Sequence, residues 1–349
     1  MKVQILHAGI SQPSPYFHNF YQALKKYDPE INISINPAMP VQGPSEPGIV
    51  HFHRLKRFYD SNSQESAENF IENSKKAKEM GWKFAWTIHN FFPIDREISH
   101  VDSWVTNQFA ALSDTIFTHT ELMKKSAEKL FSKRVINCSY AIHNFEGIND
   151  GNNLDVPRED YELVFTFGGD IVEYKCIPKT IESFKRLKEE FNNRRLRLII
   201  AGPSRGMSLE KQIDGDEDIL FHNSFIGQNG WKELRRVTDI FLTSYDLSLP
   251  AFRYGFFPSS VPQLLSYKKP MILPDCPETR EFIPQQDKAI FYDFYDKNGL
   301  FKAMKDGLDS SRRDLIRRNL EEVTETHSWD HVAKIVIEEY NHLLEVPSK

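Results

Sequence analysis

The sequence is poor in cysteine and in long apolar runs, and it lacks the common nucleotide-cofactor signatures. Its three cysteines, Cys138, Cys176 and Cys276, stand far apart, with no CxxC pair and no Cys/His spacing of a metal site. No disulfide framework or zinc module is therefore expected, and the thiols read as core or loop groups of a reducing cytoplasm. No apolar stretch approaches the roughly 20 residues needed to cross a bilayer. The opening KVQILHAG reads as a first strand, not as the longer apolar core of a signal peptide. The turn after it, HAGISQPSP, lacks GxGxxG, and no P-loop occurs anywhere, so a dehydrogenase or kinase has no motif to stand on. A formal net charge of −5 argues against wholesale nucleic-acid binding. The absence of a short-period repeat excludes a solenoid.

What remains is a chain of 349 residues, 40% hydrophobic and 27% charged, which is ordinary for a soluble globular protein and long enough for two cores. Strand and helix patterns alternate throughout. In the first half, strands are expected near 2–7, 31–36, 48–53, 83–89, 114–119 and 135–141, with the clearest helices at 66–80 and 121–131. In the second half, strands are expected near 163–167, 196–201, 219–222, 240–243, 270–273 and 288–292. Such alternation builds parallel, doubly wound sheets with helices on both faces. The polar run NDGNNLDVPRED, 149–160, reads as a linker between the halves.

The most informative stretch is Val164 to Leu198. Val164–Phe167 form a β-prone run that stops at Gly168 and Gly169, Pro178 sits near a helix start, and Ile181, Phe184 and Leu187 mark that helix's apolar face. This is a βαβ unit with Lys175 in the loop at the carboxyl end of its first strand, the side on which open α/β sheets bind ligands. A lysine there can act as a point charge for phosphate, or it can be a solvated surface lysine. His89, in TIHNFFP, ends an apolar strand, where an imidazole can face the ligand crevice or tie down the loop. His119 and His143 also end strands, and His143 reads as a hinge residue. Gly9 and Ser11 form a small-residue turn that lets backbone approach a diphosphate or an acceptor, or is only a turn. Ser259 and Ser260 precede a helix whose start can favour an anion or can simply be capped. The helical stretch from Lys124 to Arg134 carries five basic residues beside Leu122, Met123, Leu130 and Phe131, a pattern that fits an anionic membrane surface or a solvated face.

FGGDIVEYKCIPKTIESFKRL followed by LIIAGPSRG resembles the start of the C-terminal domain in retaining GT-B glycosyltransferases of the large family 4 type. Gly169 and Lys175 keep that family's glycine-to-lysine spacing, while Asp170 stands where an arginine is usual. TIHNFFP resembles the family's HN or HD element, which implies that His89 contacts the transferred sugar. The segment 239–281 resembles the donor-binding segment, with Gly255 and Gln263 where two glutamates are usual. HSWDHVAKIVIEEYNHLLE, starting at His327, resembles the closing helix that crosses back to the N-terminal domain.

The resemblance implies an α/β GT-B fold with two Rossmann-like domains facing each other across a cleft. An acceptor-binding domain would span 1–148, a linker 149–160, a nucleotide-sugar-binding domain 161–327 and a closing helix 328–349. It implies a retaining, metal-independent transfer from a nucleotide diphosphate sugar, UDP by frequency, to a saccharide, glycoprotein or lipid-linked acceptor in bacterial surface polysaccharide or glycoconjugate synthesis. His89, Lys175 and Arg253 are the expected catalytic residues, with Arg253 either replacing the missing arginine or stacking on Phe252 and Tyr254. Gly9, Ser11, Gly169, Lys175, Gly227, Ser259, Ser260 and Gln263 are expected to line the donor site. No permanent cofactor, metal or nucleic acid is expected. The expected location is cytoplasmic, with a peripheral contact at the inner face of the membrane and homo-oligomerisation left open. The alternative is a non-catalytic nucleotide-sugar-binding or partner subunit of the same fold.

Overall fold

Alternating apolar strands and amphipathic helices wind into two parallel sheets in the computed structural model. It describes every residue except 1–3, 9–14, 37, 47, 95, 143–153, 155, 157–160 and 346–349, with backbone alone for 4–8, 15, 36, 322 and 324–326. The chain divides into two units. Unit 1 comprises Met1–His143, Pro250–Phe257 and His327–Lys349, and unit 2 comprises Asn144–Leu249 and Pro258–Thr326.

Unit 1 runs β1 (Gln4–Ala8), α1 (Pro15–Tyr27), β2 (Asn32–Asn36), β3 (Gly48–Phe52), α2 (Gln64–Glu79), β4 (Lys83–Thr87), α3 (His100–Leu112), β5 (Thr115–Thr118), α4 (Glu121–Phe131) and β6 (Val135–Asn137). Its strands lie in the order β2-β1-β3-β4-β5-β6, every pairing parallel, so the order reverses between β1 and β3. Helix starts are set by side chains. The Ser63 hydroxyl accepts from the Ser66 N–H, and Thr120 accepts from the Met123 N–H. Ser99 and Asp102 exchange hydroxyl and carboxylate bonds with each other's backbone N–H in a capping box.

Unit 2 runs β7 (Leu163–Gly168), α5 (Ile177–Glu190), β8 (Leu196–Ala201), α6 (Glu210–Ile213), β9 (Ile219–His222), α7 (Gln228–Val237), β10 (Ile240–Leu242), α8 (Ser260–Leu265), β11 (Met271–Pro274), α9 (Pro277–Phe282), β12 (Ile290–Tyr292), α10 (Gly299–Asp306) and α11 (Ser310–Thr326). Its parallel sheet has the order β12-β11-β10-β7-β8-β9, so the reversal falls between β7 and β10. Strands β7, β8 and β10 are buried along their whole length, as a sheet covered on both faces requires.

The last helix, α12 (Trp329–Glu345), belongs to unit 1. Its Val332, Ala333, Val336, Ile337, Tyr340 and Leu343 share a buried cluster with Phe20, Ala23 and Leu24 of α1, and the Trp329 indole donates to the Ile142 carbonyl at 2.9 Å. The stripe of apolar residues seen in the sequence is therefore the face that returns to the first sheet's helices.

One segment departs from the expected extent of the second domain, 161–327. Pro250–Phe257 pack with unit 1: Asn90 and Phe256 form an antiparallel bridge, Tyr254 packs edge-on to Phe92, and Phe257 stacks on Tyr140 at 4.1 Å between ring centroids. Large aromatic area outweighs chain continuity here. Of the expected linker 149–160, only Leu154 and Val156 are described, and both are buried.

Candidate active site

In unit 2 the candidate site is the carboxyl edge of the sheet, where the strand order reverses. The loop after β7 leaves through Gly169, whose φ is +112°; a Cβ there would stand 3.2 Å from the Lys175 Nζ. Glycine is thus favoured by the positive φ of the turn, and its missing side chain leaves room for the lysine's end. The loop closes in a short 3-10 turn, Glu173–Lys175, and Cys176 in a left-handed conformation redirects the chain into α5. Two bonds from the loop after β10 hold this turn across the reversal. The Ser244 hydroxyl donates to the Lys175 carbonyl, and the Asp246 N–H donates to the Tyr174 carbonyl at 2.7 Å.

The Lys175 ammonium lies 5.6 Å from the centroid of the Phe167 ring. Among the described residues it has no hydrogen bond or ion pair, since Asp170 pairs with Arg205 instead. Burial pushes its pKa down from 10.5 to about 8, against the partial pull of the Asp170 charge. A desolvated cation without a partner, at a sheet edge built for ligands, favours an anion.

The other donor-site residues of this unit fall around that edge. The Ser260 hydroxyl bonds to the Tyr245 hydroxyl, and Tyr245 follows the serine that fixes Lys175. Ser259 is exposed and makes no capping bond, and α8 is only six residues long, so its start offers less to an anion than the sequence suggested. Gln263 is partly buried on α8, and Gly227 sets the start of α7.

In unit 1 the imidazoles at the ends of three adjacent strands meet. His53 follows β3, at the reversal of the first sheet; His89 follows β4 and His119 follows β5. His53 Nδ1 lies 3.3 Å from His89 Nε2, His89 Nδ1 lies 3.0 Å from His119 Nε2, and His119 Nδ1 lies 3.3 Å from the Ser139 carbonyl. A carbonyl can only accept, so His119 carries its proton on Nδ1. Its Nε2 then accepts from His89 Nδ1–H, and His89 Nε2 accepts from His53 Nδ1–H. Tyr16 packs against all three rings. Behind them, buried His51 bonds to the Tyr340 hydroxyl and, at 2.7 Å, to Thr87.

Burial holds these rings neutral. It takes His119 down to about 4, partly offset by the Ser139 carbonyl, and His51 down to about 3, helped by His119. His89 lies well below its usual 6.5, from burial and then from His119 and Arg54. At neutral pH His89 is a hydrogen-bonding group and not a cation.

The remaining expectations meet unit 1 as follows. Arg253 is exposed on the 3-10 turn Pro250–Tyr254 and, among the described residues, has no ion pair, hydrogen bond or ring contact, so it does not stack on Phe252 or Tyr254. Gly255, where the resemblance expects an acid, has φ +85°, and a Cβ would press on Met123 Cγ at 3.2 Å. The backbone there is set for glycine. Of the basic stretch 124–134, Lys133 caps the end of α3 through the carbonyls of Ala110, Ala111 and Ser113, Arg134 reaches Glu339 at 3.5 Å and Lys124 lies 3.8 Å from Glu121, which leaves Lys125 and Lys129 without such a contact among the described residues. No helix among the described residues is long and apolar enough to cross a membrane, and no cluster among them could hold a metal ion. Gly9, Ser11 and His143 lie outside the described residues.

No protein-family model and no curated protein sequence matches the chain. Solved structures do. Sucrose-phosphate synthase from Thermosynechococcus elongatus superposes with a TM-score of 0.69 at 10% identity, over 98% of each chain. HepE from Anabaena, in complex with UDP and glucose, gives 0.68 at 11% identity, over 97% of this chain and 99% of that one. A glycosyltransferase from Rickettsia africae gives 0.64 at 12% identity, over 99% and 100%. The fold is therefore GT-B, with two Rossmann-like α/β units. At these identities the likeness extends to the fold alone.

Proposed function

We propose that the protein is a glycosyltransferase that takes its sugar from a nucleoside diphosphate donor. One observation carries the reading: Lys175, desolvated and without a hydrogen bond or ion pair among the described residues, stands at the strand-order reversal of a GT-B unit. When the glycosidic bond to a diphosphate breaks, negative charge grows on the leaving phosphate, and a preorganised cation in a partly dry site stabilises it more than water would. The binding of UDP by a protein of the same fold supports UDP as the nucleotide.

His89 is assigned to orient the transferred sugar. Its Nδ1 is anchored on His119, and the longer bond from His53 is the one a sugar hydroxyl replaces at Nε2. Retention of anomeric configuration and independence of metal belong to the same proposal, as does a saccharide, glycoprotein or lipid-linked acceptor taken by unit 1 and used in surface polysaccharide or glycoconjugate synthesis. A cytoplasmic location fits this donor, and Lys124, Lys125 and Lys129 are the side chains a membrane contact would use.

The test is hydrolysis and transfer from a panel of UDP-, GDP- and ADP-sugars, with the product anomer read by NMR. Turnover with one donor, lost in Lys175→Ala, supports the reading, and turnover unchanged in that variant overturns it. A second reading, a protein that binds the donor without catalysis, is favoured by Gly255, whose backbone excludes the acid expected there. Tight donor binding with no turnover on the whole panel would select it.

A further inference from the structure

We propose that Arg205 is the second cation of the donor diphosphate site and that Asp170 is the residue that positions it. The inference rests on the reading of unit 2 as a nucleoside diphosphate site. A diphosphate brings two or more negative charges, and Lys175 alone does not neutralise them. The loops that follow β7, β8, β9 and β10, as far as Leu249, contain two lysine or arginine residues, Lys175 and Arg205.

The backbone ties Arg205 to the Lys175 loop. The Ile171 N–H donates to the Pro203 carbonyl at 2.9 Å, the Arg205 N–H donates to the Ile171 carbonyl at 3.0 Å, and Ile171 and Ser204 form an isolated parallel bridge. This closeness depends on Gly202, at φ +150°, where a Cβ would fall 1.9 Å from the Gly169 carbonyl oxygen. On the far side, the Ser204 N–H donates to the Asn223 side chain at 2.8 Å. The loop that carries Arg205 is therefore held between its neighbours on both sides.

The side chain is held more lightly. Its Nε lies 3.3 Å from Asp170 Oδ2 and its Nη2 lies 3.5 Å from Asp170 Oδ1. That leaves Nη1, with both of its N–H groups, outside the pair. The Arg205 side chain is 67% exposed, so the pair itself adds little stability. What the pair does is cancel the Asp170 charge beside Lys175 and hold a planar fork ready for phosphate oxygens, which guanidinium groups bind two at a time.

The experiment is calorimetric titration of the full-length protein with UDP and UMP, with GDP and ADP alongside. Arg205→Ala is expected to lower UDP affinity about 10-fold or more, the loss of one charge-assisted phosphate contact, and to lower UMP affinity much less, with an unchanged melting temperature. Arg205→Lys is expected to recover part of the loss. The double variant Asp170→Asn with Arg205→Ala separates contact from charge masking. It should stay weak if Arg205 touches phosphate, and full recovery would show that Arg205 only screens Asp170, overturning the proposal. UDP affinity within twofold of the parent in Arg205→Ala would overturn it as well, while leaving the diphosphate reading in place. If the unchanged protein binds no nucleoside diphosphate, the underlying reading fails and the proposal falls with it.

Discussion

Replacing Lys175 with methionine should stabilise the fold while removing the proposed activity. The lysine's pKa falls from 10.5 to about 8 because burial disfavours its charged form. At about 1.4 kcal/mol per tenfold change in acidity, the ceiling on this cost is about 3.5 kcal/mol. The side chain is only partly buried, and water at the open rim reduces the cost to about 1–2 kcal/mol. The sign follows from proton binding. Between pH 8 and 10.5 the unfolded lysine holds more protons than the folded one, so stability rises with pH across that window and the full cost is present below pH 8. Methionine keeps the unbranched length against Phe167 without the charge. Thermal unfolding of Lys175→Met at pH 7 should therefore move up by roughly 1–3 °C, with the difference from the parent shrinking towards pH 10.5, while UDP binding is lost. A variant less stable than the parent at pH 7 would mean that Lys175 is held by contacts that make it structural, and the argument from an unpartnered cation would fail.

Three further outcomes are expected. The neutral imidazoles of His51, His89 and His119 must take up protons on acid unfolding, because each folded pKa lies below 6.5; stability should fall from about pH 6.5 towards pH 4 with a slope approaching about 4 kcal/mol per pH unit if all three titrate, and a flat profile between pH 6.5 and 5 in circular dichroism would refute it. Gly255→Glu, which writes in the acid the resemblance expects, should cost about 1–3 kcal/mol through its positive φ and the approach to Met123, with no gain in turnover; faster transfer from a stable variant would show that the site wants the carboxylate. His89→Ala should reduce turnover far more than UDP affinity, and a collapse of nucleotide binding would place His89 in the nucleotide site or in the fold.

Much of the architecture was legible because periodicity is local. The helix expected at 121–131 and the strands at 196–201 and 219–222 fall where the pattern put them, and Lys175 was visible because a glycine turn, a lone cation and a helix start lie within one short stretch. The pairings across the sheets were not legible. His53, His89 and His119 each end a strand in the sequence, but their meeting depends on β3, β4 and β5 lying side by side. Asp170 and Arg205 lie 35 residues apart, and only the β7–β8 pairing brings their loops together. Pro250–Phe257 read as part of the second domain because chain order says so, whereas Phe257 and Tyr254 pack where the aromatic partners are. The serines of α8 show a different limit: residue type suggested a helix cap, but the backbone of Ser259 is already helical and Ser260 bonds to Tyr245.

The most direct measurement is the proton balance of UDP binding, from calorimetry at pH 8.5 in buffers of different ionisation enthalpy. With a pKa of about 8, Lys175 is mostly neutral there, and a bound diphosphate should restore its proton. The account predicts uptake of roughly 0.5–0.8 proton per UDP at pH 8.5, near zero at pH 6.8 for the lysine, and none in Lys175→Met. UDP binding at pH 8.5 without proton uptake, or with the same uptake in Lys175→Met, would contradict the claim that this ammonium receives the diphosphate.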